Sequence, residues 1–181
     1  MRELLGPAEV DSAVALLADQ LVTLIGDTER WALVGIRDGG TPLAEALSRA
    51  VAGRTPTPPA RGEIDITLYR DDLYTGLEKP VLGITDLPFE VDGCGIVLVD
   101  DVLFTGRTVR AAMGEVWDYG RPAFIRLVVL VDRGHRELPI AADLAGFSVE
   151  TAQHDRVVVD WKESRVRIQA HGESKGVSSA T

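Results

Sequence analysis

The chain has 181 residues, of which 45% are apolar and 26% are charged, a composition typical of one globular domain with a sizeable core. The net charge of −9 disfavours general nucleic-acid binding, because phosphate backbones attract surfaces dense in lysine and arginine. The single cysteine excludes an intrachain disulfide, and three scattered histidines disfavour a metal cluster. No apolar run approaches the roughly 20 residues that cross a bilayer, and no signal peptide is evident, so we expect a cytoplasmic protein without a membrane partner.

The first elements alternate between helix and strand patterns. Residues 8–25 repeat apolar side chains every three or four positions, which predicts an amphipathic helix. The apolar run 31–36 predicts a buried strand. Thr41 and Pro42 then predict the N-cap and first position of a second helix, which ends near Val51.

The middle of the chain continues the alternation. A strand is predicted over residues 64–70, followed by a long glycine- and proline-rich loop, with a small hairpin, over 71–95. The apolar runs 96–99 and 124–131 predict central strands of a parallel sheet. Between them, residues 107–119 predict a helix. Its expected inner face carries Val109, Met113, Val116 and Trp117.

The C-terminal part completes the fold prediction. Residues 156–161 and 165–168 predict a hairpin, and residues 170–181 predict a disordered tail after a single domain spanning 1–169. Strands and helices that alternate along a chain are typical of an α/β fold with a mostly parallel sheet.

Two adjacent acids, Asp100 and Asp101, follow the strand at 96–99 and precede a Thr-Gly-Arg-Thr turn. Ligands of open α/β sheets bind at the carboxyl ends of strands, where helix N-termini present unpaired amides. Gly106 allows the backbone to approach a phosphate, and the hydroxyls of Thr105 and Thr108 add donors. The carboxylates can accept from vicinal hydroxyls or hold water around Mg²⁺. We therefore predict a site for a phosphorylated sugar, the alternative being a plain helix-capping turn.

This turn resembles the phosphoribosyl-pyrophosphate (PRPP) signature of type I phosphoribosyltransferases. Residues 65–73, 97–113, 120–122 and 129–140 are, in addition, similar to the PyrR family of bifunctional pyrimidine-operon attenuation regulators and uracil phosphoribosyltransferases. The resemblance extends over residues 8–168. It implies the type I phosphoribosyltransferase fold, in which helices flank a mostly parallel central sheet that carries a flexible lid loop and a small hood.

The resemblance also implies an activity and a set of site residues. The activity is the Mg²⁺-dependent conversion of uracil and PRPP to UMP and pyrophosphate. Asp100 and Asp101 would contact the ribose and hold water around Mg²⁺ without binding it directly, and Arg70, at the start of the lid, is a third catalytic candidate. Residues implied at the 5-phosphate are Phe104, Thr105, Gly106, Arg107 and Thr108; those at the pyrophosphate are Arg37, Asp38, Gly39 and Gly40. The base would lie near Asp132, Arg133 and His135, and Arg136 is a further anion-binding candidate. The alternatives are that Arg133 and Arg136 form solvated ion pairs and that His135 is a surface histidine.

The pyrophosphate loop departs from the family pattern. The regulators carry Gly-Ile-x-Thr-Arg-Gly, whereas Asp38 and Gly39 replace the threonine and arginine here. A carboxylate repels pyrophosphate, and the missing arginine removes a charge-assisted bond. Amidophosphoribosyltransferases nevertheless carry a similar aspartate in this loop. We expect weakened PRPP handling or an altered substrate.

The predicted RNA face departs as well. The helix at 8–25 contains no lysine or arginine, Ala141 stands where an arginine is usual, and residues 151–154 replace a Thr-Ser-Lys-Ser-like run. RNA binding, which the family implies, is therefore disfavoured. Two alternatives to the enzyme stay open: a regulator of pyrimidine mRNA that senses UMP or UTP with little catalysis, and a degenerate paralogue that binds nucleotide. The resemblance also implies a homodimer or higher homo-oligomer.

Overall fold

Two β-sheets and three helices make up the described part of the chain, which comprises residues 1–66 and 85–170 of a computed structural model. In chain order the elements are β1 (Arg2–Leu5), α1 (Pro7–Ile25), β2 (Trp31–Ile36), α2 (Gly40–Ala50), β3 (Ala60–Ile64), β4 (Gly95–Leu103), α3 (Arg107–Tyr119), β5 (Phe124–Asp132), β6 (Leu144–Ser148), β7 (Arg156–Asp160) and β8 (Arg165–Gln169). Arg70, most of the predicted lid and nearly all of the predicted tail lie outside the described residues. No described helix is long and apolar enough to cross a membrane.

The main sheet has five parallel strands in the order β3-β2-β4-β5-β6. Every residue of β2 is buried, as expected for a central strand covered on both faces. β2 pairs with β4 only as far as Gly35 opposite Val99, whereas β4 continues beside β5 until Leu103 faces Asp132. The carboxyl end of β4 therefore extends beyond its neighbour β2.

Helices cover the two faces of this sheet unequally. α1 and α2 pack on one face, and α3 packs on the other. The first core includes Leu17, Leu21, Leu33, Leu43, Leu47, Val97, Val99 and Leu130. The second includes Val34, Ile36, Leu98, Val109, Val116 and Val129. Burial of each large aliphatic side chain stabilises the fold by about 1.5–3 kcal/mol, so these two layers hold the strand ends in place.

The second sheet is antiparallel, in the order β1-β8-β7. Its β7–β8 hairpin confirms the hairpin predicted near the C-terminus. β1 was not predicted, because its four residues gain their partners only from β8 at the far end of the chain. This sheet forms the small additional unit expected beside the main one.

Several predicted boundaries were wrong for identifiable reasons. α2 begins at Gly40 with Gly39 as its N-cap, so Thr41 lies inside the first turn and does not cap the helix. The strand predicted over residues 64–70 begins at Ala60, because parallel pairing with β2 outweighs the preceding proline-rich composition, and it ends at Ile64. Residues 67–70 lie outside the described part of the chain.

Two further differences concern β4 and α3. β4 does not stop at residue 99 but runs to Leu103, since the ladder with β5 continues, and the two acids are therefore part of the strand. Val109 and Val116 are buried as predicted, but Trp117 is 55% exposed and does not belong to the inner face of α3. Residues 85–94 are irregular except for one bridge between Glu63 and Asp86, which confirms the loop prediction there.

Candidate functional site

The acidic pair lies where β4 extends past β2. Asp100 is only 6% exposed, and its Oδ1 accepts a hydrogen bond from the backbone amide of Asp101 at 2.9 Å. Successive side chains of a strand point to opposite faces, so Asp101 shares the α2 side of the sheet with Val99, and Asp100 lies on the α3 side. The two neighbouring carboxylates are thereby aimed apart, which reduces their repulsion.

The predicted pyrophosphate loop, residues 37–40, lies directly beside Asp101. A Cβ at Gly40 would lie 2.0 Å from the carbonyl oxygen of Val99, and one at Gly39 would lie 2.1 Å from Cγ of Asp101. The start of α2 therefore packs against β4 with no room for side chains. The peptide bond between Arg37 and Asp38 is cis.

The charged side chains of this loop differ in their surroundings. Arg37 donates from Nε to the Glu63 carboxylate at 2.9 Å, and its Nη1 lies 3.9 Å from Asp65. Asp38 is exposed. The arginine is thus engaged with β3 and the residue after it, and the loop presents mainly backbone groups toward the acids.

The predicted phosphate turn, residues 104–108, leads from β4 into α3. Gly106 is the N-cap of α3 with φ +92°, a conformation that favours glycine, and the first intrahelical bond runs from the Arg110 amide to its carbonyl. The amides of the first helical turn therefore have no carbonyl partner within the helix, as at any helix N-terminus. The Thr105 hydroxyl accepts from the Arg107 amide at 3.3 Å. The Arg107 guanidinium donates to Glu137 at 2.7 Å.

Phe104 and Arg133 form a second, largely buried cluster. The Arg133 guanidinium lies 4.1 Å from the centroid of the Phe104 ring, and the residue is only 5% exposed. Its acceptors come from one segment: Thr151 Oγ1 at 3.2 Å, the Ala152 carbonyl at 2.8 Å, the Gln153 carbonyl at 3.3 Å and the Asp155 carbonyl. Burial lowers the pKa of Arg133, and the charge of Asp155 partly opposes this shift. Arg133 thus ties residues 151–155 to the phosphate turn through Phe104.

The remaining base-side candidates hold the loop after β5. Asp132 accepts from the Gly134 amide at 2.9 Å and pairs with Arg136. Arg136 in turn donates to the carbonyls of Phe104 at 2.6 Å and Ile140 at 3.0 Å. His135 is exposed, and its Nε2 lies 2.7 Å from the Thr151 carbonyl oxygen. Arg136 therefore joins this loop by hydrogen bonds to the residue that follows β4.

The site groups most of the predicted residues at one edge of the sheet. The sequence did not predict the acceptors of Arg133 or the contact of Gly39 with Asp101, because both join residues that are far apart in the chain and no local pattern indicates them. Over residues 1–66 and 85–170, no three His, Cys, Asp or Glu side chains converge on a metal position. Asp100 and Asp101 supply the hard oxygen atoms that suit Mg²⁺ retaining its own waters.

Comparison with known proteins extends these observations. The model of a family described as "Phosphoribosyl transferase domain" matches residues 6–164. The bifunctional protein PyrR of Chloroflexus aurantiacus is 47% identical over 163 residues, which cover 90% of each chain. The bifunctional protein PyrR of Pelotomaculum thermopropionicum is 49% identical over 150 residues, or 81% of each chain. The hypoxanthine phosphoribosyltransferase of Trypanosoma cruzi shares the fold, with a TM-score of 0.71 at 17% identity, over 93% of this chain and 95% of that one.

Proposed function

The chain belongs to the phosphoribosyltransferase family, and we propose that it transfers ribose 5-phosphate from PRPP to uracil, giving UMP and pyrophosphate. In this reaction the bond between ribose C1 and the pyrophosphate oxygen breaks. A bond from C1 to N1 of uracil forms, and N1 loses its proton. Uracil as the acceptor is what the resemblance to the PyrR family implies, and the curated relatives share that family name.

One observation carries this proposal: two helix N-termini flank a single acidic pair. Asp101 touches Gly39 at the start of α2, and β4 continues from the acids into Gly106 at the start of α3. Helix N-termini favour anions, and carboxylates accept hydrogen bonds from hydroxyls. PRPP has the same order of groups, with pyrophosphate at C1, a diol in the middle and phosphate at C5.

Each site residue then has a proposed role. Asp100 and Asp101 accept hydrogen bonds from the ribose hydroxyls and favour the positive charge that develops on the sugar as the C1 bond breaks. Phe104 to Thr108 hold the 5-phosphate, and residues 37–40 hold the pyrophosphate. Asp100 and Asp101 would hold Mg²⁺ through its waters, and a bound Mg²⁺ would supply neutralising charge for the pyrophosphate.

On the base side, Asp132 and His135 are proposed to face uracil. Arg133 is proposed to act there indirectly, because its guanidinium already donates to residues 151–155 and stacks on Phe104. His135 is tied to the same segment through Thr151. The base-facing loop and the phosphate turn are thus supported as one unit.

The test is UMP formation from uracil and PRPP in the presence of Mg²⁺, with cytosine, hypoxanthine and guanine assayed in parallel. Asp101→Asn is expected to lower kcat/KM by about 100-fold or more, because it removes charge opposite the developing cation. Asp118→Asn is the matched control on the exposed surface of α3 and should behave like the wild type. Equal rates for the two variants would contradict the role given to Asp101.

A second candidate is a nucleotide-responsive regulator of pyrimidine mRNA with little or no catalysis. The resemblance to the PyrR regulators implies it, and Asp38 and Gly39 in the pyrophosphate loop favour weak catalysis. The absence of lysine and arginine from α1 weighs against it. Binding of pyrimidine-operon leader RNA that weakens with salt, together with UMP or UTP binding but no turnover, would favour the regulator. We further propose a homodimer or higher oligomer, as the resemblance implies.

A further inference from the structure

We propose that Gly39 is a positioning residue for Asp101: the missing side chain at residue 39 leaves the space in which the Asp101 carboxylate lies. The functional part of this inference rests on the proposed function, because it assumes that Asp101 acts on the ribose of PRPP. The structural part rests on the contact between the two residues alone.

The contact involves the whole carboxylate. A Cβ built on Gly39 would lie 2.1 Å from Cγ, 2.1 Å from Oδ2 and 2.4 Å from Oδ1 of Asp101. Non-bonded heavy atoms keep about 3.5–4.0 Å apart at their optimal separation, so in this loop conformation a side chain at residue 39 and this position of the carboxylate exclude each other. The arginine that the regulators carry at this position therefore requires a different arrangement of the loop or of the carboxylate. All three distances are similar, which means that the carboxylate lies over the Gly39 Cα.

The backbone that follows Gly39 is fixed by close contacts, and before it the Arg37 amide donates to the Ile64 carbonyl at 2.9 Å, so the loop has little room to retreat. A Cβ on Gly40 would lie 2.0 Å from the Val99 carbonyl oxygen and 3.0 Å from the Asp100 Cα. A Cβ on Gly35 would lie 2.6 Å from the Thr41 Cα. These are contacts of backbone with backbone, whereas the atoms facing Gly39 belong to the end of a side chain. A methyl group at residue 39 therefore displaces the Asp101 carboxylate before it displaces the loop.

This position also suits the charge of Asp101. Gly39 is the N-cap of α2, where the helix dipole stabilises a nearby carboxylate. The carboxylate thus lies between the amides that would receive pyrophosphate and the place proposed for the ribose hydroxyls. Displacing it removes an acceptor from the sugar and pushes negative charge into the space of the substrate.

The test compares three alanine variants that differ only in what the new methyl group meets. Gly39→Ala meets a carboxylate, Gly40→Ala meets the backbone, and Gly114→Ala on α3 meets nothing within 4 Å. We measure Mg²⁺–PRPP affinity by calorimetry and unfolding by urea titration. Gly39→Ala should weaken PRPP binding by about 10-fold, as expected for one displaced polar contact of about 1.4 kcal/mol. It should keep a near-native unfolding midpoint, Gly40→Ala should lose stability, and Gly114→Ala should bind like the wild type.

An Asp101→Ala background identifies the cause of the effect. This variant removes Cγ, Oδ1 and Oδ2, so adding Gly39→Ala should then change PRPP affinity by less than about 2-fold, because coupled residues are non-additive. An equal loss in both backgrounds would place the effect in the loop itself and overturn the proposal. So would wild-type affinity in Gly39→Ala.

Failure of the proposed function has a different signature. A wild-type protein that binds PRPP without forming UMP leaves the binding comparison intact. If the wild type binds no PRPP, the ¹³C resonance of the Asp101 carboxyl group still reports its position. That resonance should shift in Gly39→Ala and stay unchanged in Gly114→Ala, and an unchanged resonance in Gly39→Ala would overturn the proposal.

Discussion

Replacing Arg133 by methionine removes a buried guanidinium while it keeps an unbranched side chain of similar length. We expect this change to lower the free energy of unfolding by about 2–4 kcal/mol. It should also raise KM for PRPP, because Phe104, on which the guanidinium stacks at 4.1 Å, is the first residue of the proposed phosphate turn.

The magnitude follows from the contacts of the guanidinium. It donates to the Thr151 hydroxyl and to the carbonyls of Ala152, Gln153 and Asp155. Hydrogen bonds from a charged donor contribute about 1.5–3 kcal/mol each, but bonds that share one guanidinium do not add fully. The stacking on Phe104 adds about 1 kcal/mol. Removing the charge also removes the unfavourable desolvation that lowers the pKa of Arg133. This gain offsets part of the free energy lost with the hydrogen bonds and the stacking.

Urea unfolding followed by tryptophan fluorescence measures the change, since Trp31 is 2% exposed in the folded chain. Arg110→Met is the matched control, because Arg110 is exposed on α3, and it should stay within about 0.5 kcal/mol of the wild type. A loss below about 1 kcal/mol for Arg133→Met would show that its contacts contribute far less than ordinary buried polar groups do. The coupling of residues 151–155 to the phosphate turn would then be refuted.

Three other predictions concern separate parts of the chain. Gly114→Ala should raise the free energy of unfolding by about 0.4–1 kcal/mol in a urea titration, since an exposed helical glycine loses more backbone entropy than alanine and its new methyl group meets nothing; a loss would contradict this. Burial raises the pKa of Cys94, so an aromatic disulfide reagent at about pH 8 should label it only after unfolding, and rapid labelling of the folded protein would oppose this. Hydrogen bonds from the amides of Glu163 and Lys162, with the charge of Arg167, lower the pKa of Asp160. The contribution of the Asp160 carboxylate to the free energy of unfolding is present above the ordinary carboxyl pKa and is lost as the pH falls through the lowered pKa. Asp160→Asn should therefore flatten the acid side of a plot of stability against pH below about pH 4.

The sequence predicts best those elements whose signal is local. The fully apolar run that became β2 and the periodic pattern of α1 needed no distant partner to be recognised. β1 and β6 were missed because their pairing partners, β8 and β5, come from elsewhere in the chain. The end of β4 was misplaced for the same reason, since only the ladder with β5 carries that strand through the two acids.

The candidate site divides in the same way. The chemistry of the acids and of the Thr-Gly-Arg-Thr turn is visible in consecutive residues. The burial of Arg133 is not, because its acceptors at residues 151–155 follow no pattern that points back to it. In the sequence, Gly39 is notable only because the regulators carry an arginine at this position. The structure shows the Asp101 carboxylate in the space that a side chain at residue 39 would occupy.

This contact bears on how the loop would hold pyrophosphate without an arginine at residue 39. Arg37, the only cationic residue among residues 37–40, is engaged by Glu63, and Asp38 is exposed beside it. Positive potential for an anion would then come mainly from the amides at the start of α2 and from the proposed Mg²⁺. The two substitutions leave those amides in place, so we expect the altered loop to bind an anion without the charge-assisted bond that an arginine would add. Weaker PRPP binding with retained specificity for the sugar is the expected result.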